Sequence, residues 1–403
     1  MRGPATTRFA VPILAVGGVV AVAVLTGVFV MGGGGADPDV SPNGAPGGGS
    51  ALPGWTALPA SPLAAREGAT AVWTGSLVLV VGGTDAPPCP PNADCPADET
   101  PLRDGAAYDP IARTWRRIAD APIPITWAST AVVGPTVHWW VGGPAGPTFL
   151  AYDVARDAWR ILPLPDEAGL GERRLVRDGG RIIAYRPTQE HGPGADLAYE
   201  PGTGTWAALP SDPLSPSFDR SLVALDGRLV LVGVATVADP GVEPPFYRAA
   251  VHDLATGEWR RLPDAEIVGS EPTWYAAGGL VVNPALGSAD GGAVNGWGRA
   301  YPFGGMLDVA GEAWLGLPGG PAGDGPLTGL AAAADAFVVN RQGWVLDVGR
   351  LAWQALDPLP GAPTAGAAVV GAGDRIVLFG GSRFAGDRGE LLSTGWEWVP
   401  PSG

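Results

Sequence analysis

The sequence predicts an all-β fold: a seven-bladed β-propeller closed by an N-terminal strand and preceded by one transmembrane helix. Three observations lead there. First, W-x-x-L-P recurs along the 403 residues, at Trp55 (WTALP), Trp159 (WRILP), Trp206 (WAALP), Trp259 (WRRLP) and Trp314 (WLGLP), with shorter forms at Trp115 (WRRI) and Trp353 (WQAL). From Trp115 onward the successive spacings are 44, 47, 53, 55 and 39 residues. A unit of this length cannot bury its own apolar face, so neighbours must stack on it. Second, Gly 63 and Pro 43 make up about a quarter of the chain, a level that raises disorder, yet most sit at Gly-Gly ends and Leu-Pro exits. They read as turn punctuation. Third, each unit carries four short apolar strands, the number in a propeller blade.

Taken in order, residues 1–8 form a cytoplasmic tip and Phe9 to Met31 an uncharged run of 23 residues. At helical rise this reaches roughly 34 Å, enough for a hydrocarbon core of about 30 Å. Arg2 and Arg8 precede it and Asp37 and Asp39 follow, which keeps the amino terminus cytoplasmic and puts the rest outside. The rival reading, a cleavable signal leaving a secreted protein, expects a shorter apolar stretch and an A-x-A-like site. Residues 32–52, rich in Gly and Pro, form a flexible tether, and the propeller runs from 53 to 400.

The first blade has ATAVWTGSLVLVVGG and then GAAYDPIARTW; the second STAVVGPTVHWWVGG and FLAYDVARDAW; the third RIIAYRP and ADLAYEPGTGTWAALP; the fourth SLVALDGRLVLVG and RAAVHDLATGEW. The last unit, AGAAVVGAGDRIVLFGG with GELLSTGWEWV, holds three strands. The piece PGWTALP (53–59) has the form of a fourth strand and precedes the first blade, so pairing it with residues 389–399 closes the ring. Closure removes exposed strand edges. The longest loops, 84–104, 234–248 and about 283–304, all join second to third strands and gather on one face. Cys89 and Cys95, the only cysteines, share the first of these. A disulfide is the expected state of so close a pair in an exported protein, against a metal site that lacks further ligands.

The formal charge of −15, with 40 acidic residues against 25 basic ones, excludes general binding to nucleic acid or anionic lipid. The three histidines are spread over three blades: His138 as a packing residue, His252 in a structural place, and His191 in a loop. No P-loop, G-x-S-x-G elbow or nucleotide-binding glycine motif stands in a useful context, and no cofactor is expected. Glu67, Glu172 and Glu271 fall in loops before innermost strands, where they act as solvated charges or as acid/base carboxylates.

The repeats resemble the kelch-type propellers, the family that includes the galactose-oxidase-like propellers. The resemblance spans about residues 53–400. It rests on Gly82-Gly83, Gly142-Gly143 and Gly380-Gly381, on Tyr108-Asp109, Tyr152-Asp153 and Tyr199-Glu200, and on the fourth-strand Trp. Units four to six depart from it, with His252-Asp253 in place of Tyr-Asp and Gly233 alone. Asp253 to Trp259 also resembles quinoprotein propeller repeats. A galactose-oxidase copper site needs a Cys coupled to a Tyr and two His ligands; with both Cys in one loop, that activity is not carried over.

The candidate ligand-binding residues are Arg66, Trp127, Arg173, Arg220 and Trp274, each expected at the start of an innermost strand around the channel mouth, with Arg383 joining from a loop. Arginine forks and indoles ringed this way suit a carboxylated or sulfated sugar. The competing assignment is that each Arg braces an acidic neighbour on the next blade. Two function classes follow. One is a membrane-tethered binding module for an envelope glycan or protein. The other is a carbohydrate-active enzyme of lyase or epimerase type at the channel mouth. The thinness of catalytic and metal residues favours binding.

Overall fold

The computed structural model describes residues 54–400, except 91–100, 144, 166–170, 190–193, 238–242, 254, 270–271, 292–295, 322–330, 360 and 387. The expected tip, membrane span and tether therefore lie outside the described residues, as do Cys95, His191 and Glu271. Among the described residues, no helix is long and apolar enough to cross a membrane.

Seven four-stranded antiparallel sheets form the blades. The first runs through Thr70–Trp73, Val78–Val81, Gly105–Asp109 and Thr114–Ile118. The second uses Ser129–Val133, Thr136–Val141, Thr148–Asp153 and Ala158–Leu162; the third Arg174–Asp178, Arg181–Tyr185, Leu197–Glu200 and Thr205–Ala208. The fourth uses Ser217–Leu225, Arg228–Ala235, Tyr247–Asp253 and Glu258–Arg261; the fifth Tyr275–Ala277, Leu280–Asn283, Gly305–Asp308 and Ala313–Leu315. The sixth is Ala332–Ala334, Phe337–Val339, Trp344–Asp347 and Ala352–Ala355. The seventh is composite: Ala368–Ala372, Arg375–Phe379 and Gly395–Trp398 take Trp55–Ala57 as their outer strand. Each innermost strand lies against those of both flanking blades, so the ring is closed.

Closure follows the sequence reading with one refinement. Trp55 pairs opposite Trp398 and Ala57 opposite Trp396. Residues 389–391, counted in the closing segment, instead belong with Arg388 to a separate hairpin with Ser382–Ala385 in the loop above. Arg113 of the first blade then bonds both the Ala57 carbonyl (2.8 Å) and the carboxylate of Glu397, tying the two chain ends together.

The structure also gives the recurring signature a physical reason. Each fourth-strand indole donates its N–H to a backbone carbonyl at the exit of the preceding blade: Trp159 to Ala119, Trp206 to Pro163, Trp259 to Pro210, Trp314 to Pro263, Trp353 to Pro318. In the five units that spell W-x-x-L-P, the Trp and the Pro therefore serve two different interfaces. The series closes through the terminal strand, Trp55 to Asp357 and Trp115 to Pro59. Blade interfaces hold the core: seven buried clusters each draw on two adjacent blades. Second strands are covered on both faces, and Val78, Leu79, Val80 and Val81 are fully buried.

Candidate functional site

The channel mouth opens on the face that carries the second-to-third-strand loops. A cavity of about 600 Å³ there is lined by Thr70, Trp127, Tyr275, Arg341, Thr364 and Gly366, among others. It adjoins a second cavity of about 330 Å³ between the fifth and sixth blades, which shares Tyr275 and Arg341 and adds apolar walls from Pro284, Leu286 and Phe303. On the other side of Trp127 lies a third, of about 890 Å³, between the second and third blades.

Of the six sequence candidates, Trp127 alone lines the channel-mouth cavity. Its side chain is 69% exposed, and its backbone is left-handed at φ 49°. That conformation costs an L-residue roughly 1–2 kcal/mol. It is held by the bond from the Trp127 amide to the Gly68 carbonyl (3.1 Å), with the indole against Gly68, where a Cβ would come within 3.1 Å of the indole nitrogen.

The three arginines near the starts of innermost strands are buried. Arg66 forms a fork with Asp104 (2.6 and 3.0 Å) and also bonds the carbonyls of Gly82 and Ala64. Burial pushes the Asp104 carboxyl up, but the bonds and charge of Arg66, with help from Arg117, outweigh it and hold the group below its ordinary value. Arg220 reaches back to the third blade and pairs with Asp196 (2.8 Å) and Asp212 (2.9 Å). Burial opposes its charge, and the two carboxylates more than restore it. Both arginines are thus braced by carboxylates, though not from the next blade: those of Arg220 come from the third blade and the loop after it, and that of Arg66 from its own blade. Among the described residues Arg173 bonds only the carbonyls of Ala184 (3.0 Å) and Ala195 (3.1 Å), and it lines the cleft between the second and third blades.

Trp274 is buried against Tyr247 and Trp314, its amide bonded to Ser221 Oγ (3.1 Å). Arg383 is surface-exposed and forks onto Glu390 across its hairpin (2.7 and 2.9 Å). The expected ring of six therefore does not assemble around the mouth. An innermost-strand position sets a residue's height above the channel, whereas a long side chain can turn sideways to a carboxylate in the loops.

Sequence reasoning missed Tyr275 and Arg341. Arg341 sits in the tight turn Asn340–Gly343, in which Asn340 donates to the Pro284 carbonyl (3.0 Å) and Gln342 accepts from the Leu286 amide (3.1 Å). The available signal was the run NRQG in a short second-to-third-strand turn on the long-loop face.

Neither described histidine, His138 or His252, lines the mouth cavity. His138 is buried beside Phe149 and Tyr199, and burial, reinforced by the charge of Arg160, pulls its pKa down to about 4. His252 packs on Trp259 at 4.9 Å, as Tyr108, Tyr152 and Tyr199 pack on their own tryptophans at 4.8–5.0 Å. No group of three or more His, Cys, Asp or Glu among the described residues is placed to hold a metal ion.

No family model and no curated protein sequence matches the chain. Among solved structures it is similar to the structure of YjhT, at 11% identity and a TM-score of 0.44, over 84% of this chain and 96% of that one. Likeness at that level carries no residue role from one protein to the other. The strand order and the closed ring of innermost strands make this chain a seven-bladed β-propeller.

Proposed function

We propose that this propeller is a kelch-like binding module, anchored by residues 9–31 and displayed outside the cytoplasm, that takes an envelope glycan or protein partner on its long-loop face. The observation that carries the reading is Trp127: a large indole, exposed and held in a strained backbone, standing between the mouth cavity and the cleft of the second and third blades. Strained residues of this kind concentrate at binding sites, and exposed aromatic faces supply rigid contact area to sugar rings and peptides. Pinning of the first long loop by a Cys89–Cys95 disulfide belongs to the same reading.

A second reading, a carbohydrate-active enzyme of lyase or epimerase type, draws on Tyr275 and Arg341 in the mouth lining and on Glu67, whose side chain borders Gly366. Among the described residues that line the cavity there is no carboxylate to serve as the acid/base group. Binding is the stronger reading.

Glycan-array and pull-down screening of the full-length chain, in parallel with Trp127→Ala, tests it. The expected result is a retained glycan or protein that the variant loses at unchanged melting temperature. Ligands held equally by both proteins, or none held by either, would remove the basis for this site.

A further inference from the structure

Three arginines of this propeller are buried, and two of them are neutralised by carboxylates. The third, Arg173, is 6% exposed and has no carboxylate in ion-pair range among the described residues. Asp196, the acidic group whose charge most favours it, is already committed to Arg220. Both bonds of the Arg173 guanidinium leave from Nη1, to the carbonyls of Ala184 and Ala195. Its Nε is buried without a partner, and Nη2 makes no hydrogen bond among the described residues. Among the described residues the Nε–Nη2 edge, the side-on fork that an oxyanion takes in two parallel bonds, therefore has no acceptor.

An uncompensated buried cation is costly. Burial pulls the pKa of Arg173 down; the charge of Asp196 opposes this, and that of Arg186 adds to it. The cost falls at the wall of the 890 Å³ cleft, whose lining also includes Arg174, Trp127 and Trp140. Glu172 on the rim is turned toward Arg174 at 3.5 Å. The lining also includes Gly142 and Gly143, where an added Cβ would meet almost nothing, so a bulky ligand has room there.

We infer that the cleft between the second and third blades is an anion subsite, in which Arg173 receives the carboxylate or sulfate of an acidic oligosaccharide whose ring rests on Trp127. The inference rests on the glycan form of the binding reading above and narrows it to acidic sugars. It also moves the anion contact from the channel mouth to a neighbouring cleft.

The test is calorimetric titration of the full-length chain in detergent with three probes: a glucuronate oligosaccharide, an O-sulfated oligosaccharide and a neutral glucose oligosaccharide of equal length. At least one acidic probe is expected to bind about 10-fold or more tightly than the neutral one, the advantage of a charge-assisted pair. The two acidic arms tell carboxylate from sulfate. Arg173→Gln is expected to erase that preference while melting stays unchanged or rises, because a buried charge is removed; Arg173→Lys is expected to keep part of it.

Equal binding of acidic and neutral probes, still lost in Trp127→Ala, would overturn the anion subsite and leave the glycan-binding reading standing. A large drop in stability for Arg173→Gln would overturn it as well, by making Arg173 a brace. Failure of all three probes overturns the acidic-sugar inference; a ligand found in the broader screen and lost in Trp127→Ala would still leave the binding reading intact.

Discussion

Arg220 illustrates how much a single side chain carries here. It is fully buried between Asp196 and Asp212, and it also bonds the Arg186 carbonyl at 2.8 Å. Arg220→Met leaves two buried carboxylates without a counter-charge, and we expect a loss of about 3–5 kcal/mol in urea denaturation. The contrast with Arg173→Gln, which removes an unpaired charge, makes the two variants informative together. His138 supplies a pH dependence. Its pKa falls from 6.5 in the unfolded chain to about 4 in the folded one. The unfolded state thus binds the extra proton between those values, so this contribution is fully present above pH 6.5 and is lost as pH falls toward 4. The shift corresponds to about 3 kcal/mol. Denaturation at pH 4.5 and pH 7 should show a smaller difference in His138→Phe than in the parent protein.

At the scale of elements, the turn between third and fourth strands recurs with one geometry. Asp109, Asp153 and Asp253 each accept two backbone amides from the turn that follows. The last turn residue is left-handed in six blades: Arg113, Asp157, Gly204, Gly257, Glu312 and Leu351. Glycine takes that conformation without strain, whereas a leucine does not. Leu351 is 49% exposed, so its side chain gives little packing in return. Leu351→Gly should therefore stabilise the protein by about 1 kcal/mol, read as a raised melting temperature. The Asp of the Tyr-Asp pair was legible in sequence because it is the turn's own cap. The strained position was not, because its residue type varies from blade to blade while its backbone does not.

For the whole molecule, the ring stands or falls with its closure. Trp55–Ala57 supplies the outer strand of the seventh blade, the indole bond to Asp357 and, through Pro59, the acceptor for Trp115. Deleting residues 53–59 uncovers the edge of Gly395–Trp398 and breaks the series of interblade bonds at two successive interfaces. The expected outcome is a broadened, less cooperative melting transition with concentration-dependent aggregation. An unchanged sharp transition would show that the ring does not depend on this strand.

The sequence by itself determined the blade number, the strand grammar and the composite seventh blade. Those depend on local, repeated requirements: an indole at a fixed distance from a carbonyl exit, a capped turn, and strands apolar on both faces. Only the tertiary structure decided which arginines are available. Arg66, Arg173 and Arg220 all stand near the start of an innermost strand, yet Asp104 takes the first and Asp196 with Asp212 takes the third, leaving Arg173 with carbonyls alone among the described residues. Arg341 and Tyr275 reached the mouth from blades whose signatures are weakest. The physical reason is that a guanidinium on a long flexible stem is directed by charges brought near it from distant positions, and a repeat pattern encodes backbone register, not those meetings.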